Sequence, residues 1–122
     1  MKTATVLGLA FLMLAKPTLG EAANPLNIDG NELLRICRSS RASDQGACSG
    51  WATITVDDLM GCLPPAFTQR SDVYLRTQDI IVHWLAAHAD LRRYHAVGLA
   101  RRALIDSMNT TCEPPQLEVK RP

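Results

Sequence analysis

What this sequence lacks narrows its chemistry before any residue is placed. It has no glycine-rich phosphate loop, no G-x-S-x-G turn around any of its serines, no C-x-x-C pair and no closely spaced Cys/His set. Nucleotide hydrolysis, serine-hydrolase chemistry, thioredoxin-like redox exchange and a zinc-finger site therefore have no motif to rest on. There is no internal repeat, no low-complexity tract and no convincing strand pair. Charge of one sign is also missing: 13 Lys and Arg face 12 Asp and Glu. Removing residues 1–20 takes away Lys2 and Lys16, leaving 11 against 12 and a net charge near −1. Bulk attraction to nucleic acid is excluded on that balance. At 122 residues the chain holds one domain, with 47% apolar and 20% charged residues in ordinary globular proportion.

The amino terminus suggests a compartment. After Met1-Lys2 comes a 12-residue apolar run, residues 4–15. As a helix it would extend about 18 Å, short of the roughly 30 Å hydrocarbon layer, so stable membrane insertion is the weaker reading and a secretory leader the stronger. Pro17 and the small residues around Gly20 and Ala22 offer a cleavage site after Gly20 or Ala22. The expected organisation is a signal peptide over residues 1–22, a helical domain over 23–113 and a mobile tail over 114–122. Export to the periplasm, an oxidising space, would let cysteines pair.

The four cysteines, Cys37, Cys48, Cys62 and Cys112, are separated by 10, 13 and 49 residues. Residues 47–60 read as helical, and a straight helix holds Cys48 and Cys62 roughly 18–21 Å apart, too far for a bridge. A preceding helix running antiparallel brings Cys37 to Cys48. Cys37–Cys48 and Cys62–Cys112 is the favoured pattern.

Along the chain, Asn31 is the expected cap of a short helix over residues 32–39, and residues 39–46 read as a polar loop. The helix at 47–60 turns Cys48, Trp51, Ala52, Thr55 and Leu59 inward, with Ile54 as a further inward candidate, and Gly50 within it suggests a close helix-helix approach. Pro64-Pro65 stops it, and residues 66–76 form a polar connector. Thr77 is the expected cap of a helix through Ala89, and Asp90 of a last helix over residues 91–108. The fold expected is all-α: a small disulfide-stapled bundle of about four helices.

Catalytic candidates are few. His83 and His88 lie five apart on one helix, about 140° around it, and His95 falls on the next element, so surface or interface roles suit them better than a metal set. Asp57 and Asp58 are adjacent, diverge by about 100°, and do not form an acid–base pair. Arg92-Arg93 and Arg101-Arg102 read as solvated helix faces, and Trp51 and Trp84 as core. No catalytic residue, metal ligand or cofactor is expected; the sequence reads as a binding protein.

The order of landmarks resembles a known family. Gly30-Asn31-Glu32-Leu33-Leu34 leads to Cys37; Cys48-Ser49-Gly50-Trp51 and Cys62-Leu63-Pro64 follow; then come a tryptophan-leucine helix, His88-Ala89-Asp90-Leu91, and an alanine-rich helix ending before Cys112. This resembles the Rap/Tai immunity proteins over roughly residues 30–112, with Trp51 where tyrosine is usual, and Asp90 and Thr111 where proline is common. Such proteins are small exported helical inhibitors of the peptidoglycan amidase effectors of type VI secretion. The resemblance implies occlusion of an amidase active site by a projecting loop or helix end, often by a homodimer, with no enzymatic activity. The connectors at residues 68–76 and 88–93 are the candidate contact loops, carrying Gln69, Arg70, Tyr74, His88, Arg92 and Tyr94. The alternatives are an HdeA-like periplasmic acid-stress chaperone or another exported helical interaction module.

Overall fold

The computed structural model describes residues 26–120. The expected leader and its expected cleavage point lie outside the described residues, as do residues 121–122. Five helices follow in order: α1 (Gly30–Arg38), α2 (Ala42–Leu59), the single turn α3 (Pro65–Thr68), α4 (Val73–Ala87) and α5 (Ala96–Ser107), with a 3-10 turn at Ala89–Leu91 between the last two. The described part is all-α, as the sequence implies.

Local chemistry sets several boundaries differently from the sequence reading. Asp29, not Asn31, caps α1: its carboxylate accepts the Glu32 amide at 3.0 Å. Arg35 and Arg38 occupy the last turn, where cations suit the helix dipole. The expected loop at 39–46 is shorter, because α2 already begins at Ala42. Thr77 is no cap. It is fully buried inside α4, and its hydroxyl donates to the Val73 carbonyl at 2.8 Å, so a polar residue satisfied within its own helix can enter the core.

The last helix is also shorter than expected. It breaks at 92–95 because backbone groups there are engaged elsewhere: the Gly30 amide donates to the Tyr94 carbonyl at 3.1 Å, and the Ala96 amide to the Ile28 carbonyl at 2.9 Å.

Packing gathers into two clusters. The larger joins Leu33 and Leu34 of α1, Trp51 of α2, Ile81, Trp84 and Leu85 of α4, and Leu99 of α5 over the small contacts Ala96, Ala100 and Ala103. Val56, Leu59, Leu63, Val73 and Leu104 form the smaller one, with Cys62, Phe67, Met108 and Cys112 against it. Both disulfides take the expected pairing, Cys37–Cys48 and Cys62–Cys112, each with Cα atoms 5.0 Å apart. Two sequence expectations about α2 fail. Ile54 is 41% exposed while Val56 takes the inward place, and a Cβ at Gly50 would meet nothing within 4 Å, so no helix approaches there.

Residues 114–120 have no apolar period to order them, yet they form a strap against the body. Val119 bridges Tyr94, the His95 amide donates to the Glu118 carbonyl at 2.6 Å, and Leu117 packs against the larger cluster.

Candidate functional site

Each of the two contact connectors is built by a different local device. In the first, Pro65 starts α3 where its missing amide proton costs nothing, and Phe67 turns inward, leaving Gln69 and Arg70 exposed. Arg70 forks onto Asp72, Nε to Oδ1 at 2.8 Å and Nη2 to Oδ2 at 3.1 Å. That guanidinium holds the Asp72 carboxyl below the usual carboxylate range. Tyr74, 38% exposed, opens α4 beside Leu75, the most exposed of the large apolar side chains described.

The second connector begins at His88, which ends α4. Its ring stacks on Trp84 with centroids 4.0 Å apart, and its Nδ1 lies 2.7 Å from the Trp84 carbonyl. After the 3-10 turn, the Arg92 carbonyl accepts the Asn31 amide at 3.1 Å. Arg92 is half-buried, and its Nε is enclosed without a hydrogen-bond partner among the described residues. Arg93 lies over the Tyr94 ring at 5.3 Å, and the neighbouring phenol raises its pKa further.

The two sets do not meet. Gln69, Arg70 and Tyr74 stand at the amino end of α4, and His88, Arg92 and Tyr94 beyond its carboxyl end; the 15-residue helix separates them by about 22 Å. What lies between is a feature the sequence reading missed, an open groove of about 470 Å³ along α4 lined by Arg76, Asp79, His83, Trp84 and His88. The spacing of five that separates His83 from His88 on a helical wheel does not keep them from flanking one concavity, because His88 sits past the last helical residue.

Both imidazoles are oriented in the same way. His83 Nδ1 lies 2.8 Å from the Asp79 carbonyl, as His88 Nδ1 does from Trp84. A carbonyl only accepts, so Nδ1 carries the proton and Nε2 remains the acceptor of each neutral ring. Trp84 Nε1 donates to Asp106 Oδ2 at 3.0 Å, which fixes the indole that floors the groove. The signal that could have located the groove is Arg76, Asp79 and His83, which recur on one face at helical spacing.

These groups suit recognition: an aromatic floor, ring nitrogens of set polarity, and a cation and a carboxylate at the rim. All four cysteines are in disulfides, and the Ser107 hydroxyl at the groove's edge donates to the carbonyl of Ala103 on its own helix. Among the described residues, no three His, Cys, Asp or Glu side chains converge as a metal site requires, and no helix is long and apolar enough to cross a membrane. Two disulfides with no free cysteine fit an oxidising, non-cytoplasmic compartment. Compared with protein-family models, with curated proteins and with solved structures, the chain gives no match.

Proposed function

We propose that this chain is an exported binding protein of the Rap/Tai immunity type, which protects the cell by occluding the active site of a peptidoglycan amidase effector of type VI secretion and performs no chemistry itself. Its apolar leader would direct it to the periplasm. The observation that carries the reading is the backbone hydrogen bonding that ties the 88–94 segment to α1 and to the strap. Its backbone accepts from Gly30 and Asn31 of α1 and from Lys120 of the strap, and His88 is stacked at its root. A loop already held in place loses little conformational freedom on docking, which favours tight inhibition. Arg92, Arg93 and Tyr94 follow the 3-10 turn in this segment, Arg93 exposed and the other two half-buried, while His88 at its root also lines the groove along α4. The 68–76 connector, whose backbone hydrogen bonds are all local and whose side-chain tie is the exposed Arg70–Asp72 pair, becomes the secondary contact.

The test is a pull-down with the mature protein against secreted proteins of its own source organism, followed by an amidase assay. Recovery of a cell-wall amidase that loses activity on adding the protein is expected. Arg92→Ala with Tyr94→Ala should weaken inhibition at least about tenfold, and Arg70→Ala by less. An amidase that binds but stays fully active rejects the occlusion mechanism. Retention of many unrelated proteins only after acid treatment points instead to an HdeA-like chaperone.

A further inference from the structure

The groove along α4 differs in kind at its two ends. Arg76, in the first turn of α4, carries the one fixed positive charge among the lining residues; it is exposed and enters no ion pair among the described residues. The other end offers acceptors. His83 and His88 each commit Nδ1 to a carbonyl of their own helix, at 2.8 and 2.7 Å, so Nε2, across the ring, is the edge left for a ligand. Ser107 lines the same space, and its hydroxyl proton is already given to the Ala103 carbonyl, so it too can only accept. Between the ends the floor is apolar: Ile80, Ala87 and the largely buried indole of Trp84. The α4 dipole runs in the same sense, positive toward Arg76 and negative toward His88.

We infer that this groove binds the extended carboxyl-terminal end of a partner polypeptide, with the terminal carboxylate on Arg76 and backbone amides on the two imidazoles. Along the helix axis His83 and His88 are about 7.5 Å apart, and the amides on one side of an extended chain recur every second residue, about 6.6 Å. Two successive same-side N–H groups therefore match the two Nε2 acceptors. From Arg76 to His88 the groove runs about 18 Å, room for five or six extended residues. The bound chain runs antiparallel to α4. In that direction its carboxylate meets the guanidinium at the positive end of the helix, and its N–H donors meet acceptors at the negative end. The reverse direction would set a terminal ammonium against Arg76. A small anion by itself would use Arg76 and leave both imidazoles and the apolar floor without a partner. Every second side chain of the bound segment turns inward onto Ile80 and Ala87, which favours aliphatic residues there. Asp79, three residues beyond Arg76 on the rim, disfavours an acidic side chain next to the terminus. The site reads a peptide end whichever protein supplies it, so it does not depend on the amidase reading.

The experiment uses the mature full chain. A pool of hexapeptides, randomised at every position and free at the carboxyl end, is passed over the immobilised protein. Enriched sequences are resynthesised as acids and as carboxamides and titrated into ¹⁵N-labelled protein. The acid should shift the Trp84 indole N–H resonance, and the carboxamide should bind about tenfold more weakly because it lacks the charged contact. Arg76→Gln changes an exposed side chain outside any ion pair, so the fold should persist. It should bring the acid down to the carboxamide's affinity and leave the carboxamide's own affinity unchanged. His83→Phe should weaken both peptides alike, since it removes a backbone acceptor and not the charge. Equal binding of acid and carboxamide overturns the proposal, as does an Arg76→Gln variant that weakens both equally. Shifts that spare Trp84, or no sequence that binds more tightly than about 1 mM, overturn it as well.

Discussion

Where α1, the 88–95 segment and the strap meet, the structure is knitted by backbone hydrogen bonds between distant segments: Gly30 to Tyr94, Ala96 to Ile28, His95 to Glu118. These lie over the larger apolar cluster. At the opposite end, where α2 passes through Pro64-Pro65 into α4, one long backbone bond from the Thr111 amide to the Cys62 carbonyl at 3.4 Å accompanies the Cys62–Cys112 disulfide. Only five buried apolar residues lie beneath it. One end is held by many weak directional contacts over a broad core. The other depends on a covalent tie because its core is small, and limiting the unfolded chain's freedom compensates for the missing burial.

Removing each disulfide in turn tests that contrast with the largest effect. In the chain-entropy picture, the 50-residue separation of Cys62 and Cys112 corresponds to about 4 kcal/mol and the 11-residue separation of Cys37 and Cys48 to about 3 kcal/mol. Cys62→Ala with Cys112→Ala should therefore lower denaturant stability more than Cys37→Ala with Cys48→Ala. It should also speed hydrogen exchange at the His95 amide, because the strap loses its root. Equal losses, or a larger loss from the shorter loop, would mean that the small cluster stands without its staple.

Two glycines sharpen the comparison at a smaller scale. At the knitted end a Cβ on Gly30 would lie 2.5 Å from Leu99 Cδ1 and 3.0 Å from the Arg92 Cα. Backbone cannot rotate away, so Gly30→Ala should cost about 1–3 kcal/mol by pushing the 92–95 segment off α1. Gly50 has open space around it, and in a helix interior alanine is favoured over glycine by up to about 1 kcal/mol, so Gly50→Ala should stabilise. Paired thermal or urea melts check both signs. A neutral Gly30→Ala would show that the knitted end yields more easily than its hydrogen bonding implies.

The residues that made the fold legible were those whose consequences are local. The cysteine pairing followed from helix length and an antiparallel turn, and Trp51 and Trp84 are buried at 4% and 7% exposure, as core residues should be. What stayed illegible depends on contacts far apart in sequence. Thr77 carries the same local signal whether it caps a helix or bonds back to Val73 inside one. Nothing near Asp90 announces that Tyr94 and His95 give their backbone groups to Gly30 and Glu118 and so interrupt the expected last helix. Leu117 is a lone apolar residue in a charged tail until Gly98 supplies its seat. Of the contact candidates, composition and position marked both connectors, but only the helix between them shows that they cannot act as one patch and that a groove lies along it.

Acid is the gentlest probe, and it should act on both ends alike. At the stapled end, hydrogen bonding from Arg70 holds the Asp72 carboxyl low; at the knitted end, hydrogen bonding from Arg35 does the same for Glu32, whose carboxylate it meets at 2.8 Å. Each carboxyl is more acidic folded than unfolded, so each contributes stability that is fully present above its ordinary value of about 4 and is lost as pH falls through the depressed folded value. Melting temperature should therefore be insensitive to these pairs between neutrality and about pH 5, then decline below about pH 4. The decline should be shallow because these ion pairs are solvent-exposed and screened. Asp72→Asn and Glu32→Gln should each flatten part of the slope without changing the order of the two disulfide variants. A steep, cooperative collapse above pH 5 would break the parallel, for it would require a buried group whose protonation opens one end before the other.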